Sequence, residues 1–298
     1  MASLKDIKRQ IGAVKQTQKL TKAMNMVAAA KLRATQGRTE SFRAYADEHH
    51  RLMDTLGQQS RGVEHALLQT NQEGRKIEIL AFGSDRGLCG SFNTNIFQKL
   101  DRQIAEIRRS GLEVSLFLVG RKLREYYQRR QVAISHAMSG VMGHFDYLLA
   151  QEISETLTRE FLAGNFREIR VLTTRFHGVA KQEVTLSPFL PLVHEAADLT
   201  GDEDHHHLGP GYGYLVEPDP ATLFGRLIPR SLAIAVFQAM LESVTSENAA
   251  RMQAMDNASK NCKEITENLT QVYNKLRQAA VTNELLDIVN GSEALAAA

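Results

Sequence analysis

Apolar or small residues recur at spacings of three and four along the first part of the chain: Leu4, Ile7, Ile11, Val14, Gln18, Thr21, Asn25, Ala28 and Leu32. That spacing puts them on one face of a helix. A second apolar row runs through Leu20, Met24 and Val27. The main stripe is narrow and partly polar, which suits a seam against one partner helix better than a deep core. Ser3 is placed to cap this helix, with Asp6 three residues on in a capping-box position. A weaker helical pattern continues to about Leu68. At the other end, residues 230–290 contain neither Pro nor Gly. A 3-4 repeat runs there through Ile234, Phe237, Leu241, Val244, Asn248, Arg251, Met255, Ala258, Cys262, Ile265, Leu269, Val272, Leu276 and Ala279. Heptads sustained this long predict a coiled coil, with Asn248 and Arg251 as polar interruptions of the seam.

The middle follows a different pattern. Short apolar runs at 76–82 (KIEILAF), 113–119 (EVSLFLV), 132–135, 168–175 and 183–189 predict strands. Segments 93–109, 123–130 and 145–162 predict helices. Alternation of strand and helix predicts a layered sheet with parallel pairs. The expected fold is therefore α/β: a long antiparallel two-helix coiled coil made by the terminal helices, plus a central Rossmann-like domain. The boundaries read as 1–70 for the first helix and 75–205 for the α/β domain. A Pro/Gly-rich connection at 206–229 and the last helix at 230–290 follow.

Composition sharpens this division. The chain has 298 residues, 43% hydrophobic and 23% charged, an ordinary globular balance. All six prolines fall between 188 and 229. Proline breaks helix interiors, so its confinement to one window leaves both ends free to form long helices. No run of about 18 uninterrupted apolar residues predicts a membrane span. Two cysteines, Cys89 and Cys262, cannot build a disulfide framework or a four-cysteine zinc site. The net charge of +2 is unevenly placed. Residues 1–40 carry nine cations against Asp6 and Glu40, whereas residues 181–229 carry two cations against eight carboxylates. A basic N-terminal face suits an acidic partner.

Candidate chemistry is sparse. The segment 83–90 (GSDRGLCG) follows a predicted strand, but it has neither the Lys-Ser/Thr of a phosphate loop nor the G-x-G-x-x-G pattern. Cys89 has no histidine placed beside it by sequence and reads as a buried thiol. Consecutive histidines in the 202–207 run (DEDHHH) rarely converge on one ion, so it reads as a solvated acidic loop. The basic first helix lacks stacking aromatics and a known nucleic-acid motif. No metal, cofactor or nucleic acid is expected.

Five segments carry a resemblance. Residues 7–32 (IKRQIGAVKQTQKLTKAMNMVAAAKL), 84–93 (SDRGLCGSFN), 214–220 (YLVEPDP), 242–261 (ESVTSENAARMQAMDNASKN) and 273–289 (YNKLRQAAVTNELLDIV) lie in order and resemble the γ subunit of F-type rotary ATP synthases. The resemblance implies a non-catalytic rotor shaft of a proton-translocating ATP synthase. Such a shaft enters a hexamer of α and β subunits and rests on the membrane c-ring and the small ε subunit. It implies that Lys22, Met24, Arg277 and Gln278 face an acidic lever of a β subunit. Thr282 and Glu284 lie in the catch region, and Arg251 couples rotation to catalysis. Tyr214, Leu215 and Glu217 match the foot on the c-ring. Asp85, Arg86, Gly87, Cys89 and Gly90 belong to the signature loop. The 200–213 loop matches no family motif, and the paired-cysteine insertion of the chloroplast form is missing. The first helix opens almost at Met1, which points to a bacterial form without a transit peptide. That form is peripheral on the cytoplasmic side of the plasma membrane, held there through the c-ring. Two other readings remain open: a coiled-coil adaptor of another complex, and a nucleotide-binding α/β enzyme with helical arms.

Overall fold

The computed structural model describes residues 3–59, 65–69, 71, 74–192, 217 and 219–296. The chain divides into two compact units. One is Met1–Ala30 with Arg251–Ala298, and the other is Lys31–Ala250. The elements in order are α1 (Leu4–Gln59), a 3-10 turn (Ala66–Leu68), β1 (Lys76–Phe82), α2 (Phe92–Arg109), β2 (Glu113–Val119), α3 (Arg121–Tyr127), β3 (Ala133–Met138), α4 (Tyr147–Leu162), β4 (Glu168–Phe176), β5 (Gln182–Leu190) and α5 (Pro220–Ala296).

In the unit 31–250 the five strands form one sheet in the order β3-β2-β1-β4-β5. The first four are parallel, and β5 returns antiparallel to β4. β1 and β2 are buried on both faces, which is why they read as nearly continuous apolar runs rather than alternating ones. Ile77, Ile79, Ala81, Leu116 and Leu118 face α2 and α3, packing on Ile96, Leu100, Ile104, Leu123 and Tyr127. Leu80, Phe82 and Phe117 face the other way, onto Ile153 and Leu157 of α4, Met53 and Leu56 of α1, and Leu232, Val236 and Met240 of α5. Gly120 is required where β2 turns into α3. Its φ is +120°, and a Cβ there would lie 2.4 Å from the carbonyl oxygen of Gly83.

In the polar run 242–248 (ESVTSEN) every polar residue but Glu247 is buried in this unit, and four of them bond other elements. Glu242 pairs with Arg43 of α1 at 3.0 Å. The hydroxyls of Thr39 and Thr245 lie 2.9 Å apart. Ser243 meets the Thr173 hydroxyl at 2.8 Å, and Ser246 donates to the Thr174 carbonyl at 3.0 Å. These pairs stitch α5 to α1 and β4. Within the unit, α1 and α5 run antiparallel, since Thr39 meets Thr245, Arg43 meets Glu242 and His49 meets Ser231.

Helix limits depart from the sequence expectation. α5 begins at Pro220, not at 230, and Pro229 lies inside it. The start is set by Asp219, whose carboxylate accepts from the Thr222 amide at 2.9 Å and from its hydroxyl at 2.7 Å. Pro220 then occupies the first helical position, where the missing N–H costs nothing. Pro229 is solvent-exposed, so the carbonyl it leaves unbonded is free to bond water. A window of α5 within Gly225–Asn290 is apolar enough to cross a membrane, with mean hydropathy 1.3, but 72% of that window is buried inside the protein. It is the core helix of this fold. The 200–213 loop lies outside the described residues.

Candidate functional site

The unit built from the first 30 and last 48 residues is a helix pair. α1 opens with the expected capping box. The Asp6 amide meets the Ser3 hydroxyl at 3.2 Å, and that hydroxyl donates to the Asp6 carboxylate at 2.8 Å. Ile7, Thr21 and Ala28 are buried, and Leu4, Ile11, Val14, Gln18 and Asn25 are half-buried, so this part of the seam follows the 3-4 row. The second row does not pack. Met24 is half-buried, while Leu20 and Val27 are open to solvent.

On α5 the seam changes register partway along. Met255 is buried and Cys262 half-buried, as the row requires. Beyond them the half-buried positions are Thr266, Leu269 and Tyr273, whereas Ile265, Val272 and Leu276 are exposed. A strict seven-residue repeat drifts around a helix of 3.6 residues per turn. A step of four from Cys262 to Thr266 restores the facing, and the larger apolar side chains of the row turn outward. Past Tyr273 nearly every described position is exposed, including Val281, Leu285, Leu286, Ile288 and Val289. Of the sixteen large apolar side chains exposed among the described residues, eleven belong to this unit. Water disfavours such a surface at roughly 25 cal/mol per Å², so it is built to be covered.

The expected contact residues fall at two levels of this unit. Asn25 donates its side-chain amide to the Met252 main-chain oxygen at 2.8 Å, so the stretch of α1 that carries Lys22 and Met24 lies against the stretch of α5 around Met252. Lys22 is exposed, and Met24 and Arg251 are half-buried. Arg277, Gln278, Thr282 and Glu284 are exposed and lie 25 or more residues farther along α5. That is about 40 Å at 1.5 Å per residue, so the structure does not bring the two groups together. The Thr282 hydroxyl is bonded to the Gln278 carbonyl of its own helix at 2.9 Å. Glu217 is exposed; Tyr214 and Leu215 lie outside the described residues.

The signature loop sits at the carboxyl end of β1 in the other unit. Asp85 ties three loops together. One carboxylate oxygen accepts from the amides of Arg121 (3.0 Å) and Gly140 (2.8 Å), the other from Met142 (3.3 Å). The Arg121 guanidinium donates back to the Asp85 carbonyl at 2.8 Å. Buried Ser84 bonds the Arg86 carbonyl at 2.8 Å. Asn93 donates to Ser84 Oγ at 2.7 Å and lies 3.1 Å from the Cys89 sulfur. Cys89 is buried, as expected. Leu88 (φ +64°) and Gly90 (φ +57°) take left-handed conformations that close the loop, while Arg86, Gly87 and Leu88 face solvent. In an open α/β sheet the carboxyl edge is where ligands bind. Here the polar side chains Ser84, Asp85 and Asn93 hold the protein's own backbone and one another. Sequence inspection missed Ser84 and Asn93 as the clasp, although both sit within the recognised motif. Among the described residues no three His, Cys, Asp or Glu side chains cluster to hold a metal; the 202–207 run lies outside them.

Comparison with known proteins agrees along the whole chain. The family model described as ATP synthase matches residues 3–295. The ATP synthase gamma chain of Syntrophus aciditrophicus (strain SB) is 40% identical over 296 residues, 99% of each chain. That of Maridesulfovibrio salexigens is 40% identical over 295 residues, again 99% of each. Among solved structures, a chain of the Euglena gracilis mitochondrial ATP synthase (OSCP/F1/c-ring) matches with a TM-score of 0.68 at 22% identity. That match covers 98% of this chain and 94% of that one. A chain of the Tetrahymena thermophila mitochondrial ATP synthase central stalk and c-ring matches with a TM-score of 0.59, covering 80% and 99%. With a family model matched over residues 3–295 and curated relatives 40% identical from end to end, the chain belongs to the ATP synthase gamma-chain family.

Proposed function

We propose that this chain is the central rotor shaft of a proton-translocating F-type ATP synthase and performs no catalysis itself. It couples rotation of the c-ring to conformational cycling of the catalytic β subunits during ATP synthesis or hydrolysis. The observation that carries this reading is the concentration of uncovered apolar side chains on the unit formed by the two chain ends. That surface is suited to the interior of a hexamer of α and β subunits. In this reading Lys22 and Met24 meet the acidic lever of a β subunit, and Arg251 couples rotation to catalysis. Arg277, Gln278, Thr282 and Glu284 form a second catch level. Tyr214, Leu215 and Glu217 rest on the c-ring beside the ε subunit. The complex is then bound to the bacterial plasma membrane, with this chain peripheral on the cytoplasmic side.

The mechanism is a state-dependent contact energy. Moving a β site from 1:99 to 99:1 in favour of one conformation takes about 5.5 kcal/mol of differential contact. An exposed ion pair supplies roughly 0 to 1 kcal/mol, a newly buried Leu or Ile roughly 1.5 to 3. Apolar contacts therefore carry most of the switching energy, and charges such as Lys22 and Arg277 set which face meets which lever. Two measurements test the reading. The tagged chain should co-purify with α, β and ε subunits, and it should hydrolyse no ATP alone. Turnover by the purified chain, or a complex without α and β subunits, would overturn it. In the assembled enzyme Met24→Lys should impair ATP-driven proton pumping by adding a cation at the lever contact; normal pumping would remove Met24 from that contact.

A further inference from the structure

We propose that Glu78, while it carries a proton, latches the edge strand β3 to the sheet through the Ser135 hydroxyl, and that loss of the proton loosens that edge. The latch lies within the unit 31–250 and does not depend on the functional reading above.

β3 needs a fastening. It is an outermost strand and, among the described residues, pairs with β2 alone. Its ladder is interrupted. Leu116 faces Ile134 and Phe117 faces His136, so Ser135 is an extra residue in a bulge. Ala133, Ser135 and Ala137 are exposed, and Ile134, His136 and Met138 are half-buried. Little apolar burial holds such a strand. The Ser135 hydroxyl makes two contacts inward. One is to the Leu116 carbonyl at 3.2 Å, and the other is to the carboxyl of Glu78, which reaches it from β1 across β2.

The count of hydrogens ties these contacts to the proton on Glu78. A hydroxyl has one hydrogen to give, and a carbonyl only accepts. When Ser135 donates to Leu116, its bond with Glu78 needs a hydrogen on the carboxyl. Neutral Glu78 supplies it, and the bonds run in series from Glu78 to Ser135 to Leu116. Ionised Glu78 only accepts. It draws the Ser135 hydrogen to itself, and the Leu116 oxygen loses that donor. The other carboxyl oxygen, Oε2, is buried with no hydrogen-bond partner, where a charge is poorly tolerated. Of the charged groups around it, Glu160 of α4 opposes ionisation and Lys76 of its own strand favours it. His136 of β3 lies 3.7 Å from Glu160. β2 places Ser115 and β4 places Ile169 beside Glu78.

Burial holds the carboxyl proton up to about 7, against an ordinary value of 4.5. Opening of β3 lets water reach Glu78, which then releases its proton near the ordinary value. Opening is therefore most opposed below pH 4.5, becomes easier as pH rises, and levels off above about 7.

Amide hydrogen exchange of the full chain, corrected for the intrinsic pH dependence of exchange, tests the latch. β3 should exchange faster than β1 at every pH, because an edge opens without global unfolding. Its protection should fall at least tenfold between pH 5 and 7.5. Glu78→Gln keeps an N–H for Ser135 at every pH and should hold that change below twofold. Ser135→Ala should lower the protection of β3 at pH 5 at least threefold. Equal exchange of β3 and β1, or a pH dependence seen in β1 but not in β3, would overturn the latch, since Glu78 would then act on global stability alone. A fall that survives in Glu78→Gln would assign the effect to His136 and Glu160 and overturn it too, as would full protection of β3 in Ser135→Ala.

Discussion

Glu78 lies in the middle of β1 with none of its surface exposed, on the face that packs against α4. Burial pushes its carboxyl up to about 7, opposed by the hydroxyls of Ser135 and Ser115 and helped by the charge of Glu160; Lys76 opposes it weakly. The folded protein thus keeps a proton on Glu78 that the unfolded chain releases near pH 4.5. The stability from the neutral carboxyl is full below pH 4.5 and is lost as pH rises to about 7. The loss amounts to about 3 kcal/mol at 1.36 kcal/mol per unit. Urea unfolding should show this decline between pH 4.5 and about 7, and Glu78→Gln should flatten it. A decline of the same size in the variant would assign the effect elsewhere. Asp85 supports a second prediction. Asp85→Ala strips the acceptor from three backbone amides and should destabilise the α/β unit by roughly 2 to 3 kcal/mol in the same assay. In sequence, KIEILAF identifies a strand and alternation puts Glu78 opposite Ile77 and Ile79. Nothing local shows that β2 and β3 bring serines to it. The same holds for Asp85, whose partners lie 36 to 57 residues away.

Elements show where periodicity is a reliable guide and where it slips. The seam of α1 was legible because one row of 3-4 spacing dominates it. On α5 two rows compete after Cys262, and larger side chains drew the expectation to Ile265 and Val272 while the structure turns in Thr266 and Tyr273. The start of α5 was misplaced because Pro229 looked like a breaker, whereas Asp219-Pro220 is the stronger signal of a helix start. The polar run 242–248 was readable as a family motif but not as a set of stitches, since its partners Thr39, Arg43, Thr173 and Thr174 come from other elements. Arg43→Ala would leave Glu242, almost fully buried, without its cation. That should cost about 2 kcal/mol in chemical unfolding. Arg43→Ala combined with Glu242→Gln should recover part of the loss; no recovery would mean that the pair is not the cause.

At the scale of the molecule, the fold class, with long helices at both ends and a central sheet, followed from pattern alone. Strand order did not, because the reversal at β5 depends on packing across the sheet. The proposed function places a further demand on the end of α5. Leu285, Leu286 and Ile288 are already exposed in the free chain. Replacing Leu285 and Ile288 with Ser should therefore leave its thermal unfolding unchanged while weakening its association with the α/β hexamer at least tenfold. A matching loss in thermal stability would show instead that these side chains pack within the chain. The central claim is that this polypeptide turns. The most direct test fixes the hexamer to a surface and tethers a gold rod to a cysteine introduced at Arg102, an exposed position on α2. The account predicts unidirectional rotation of the rod that starts with ATP and stops when it is exhausted. A complex that hydrolyses ATP at its normal rate while the rod stays still would contradict it.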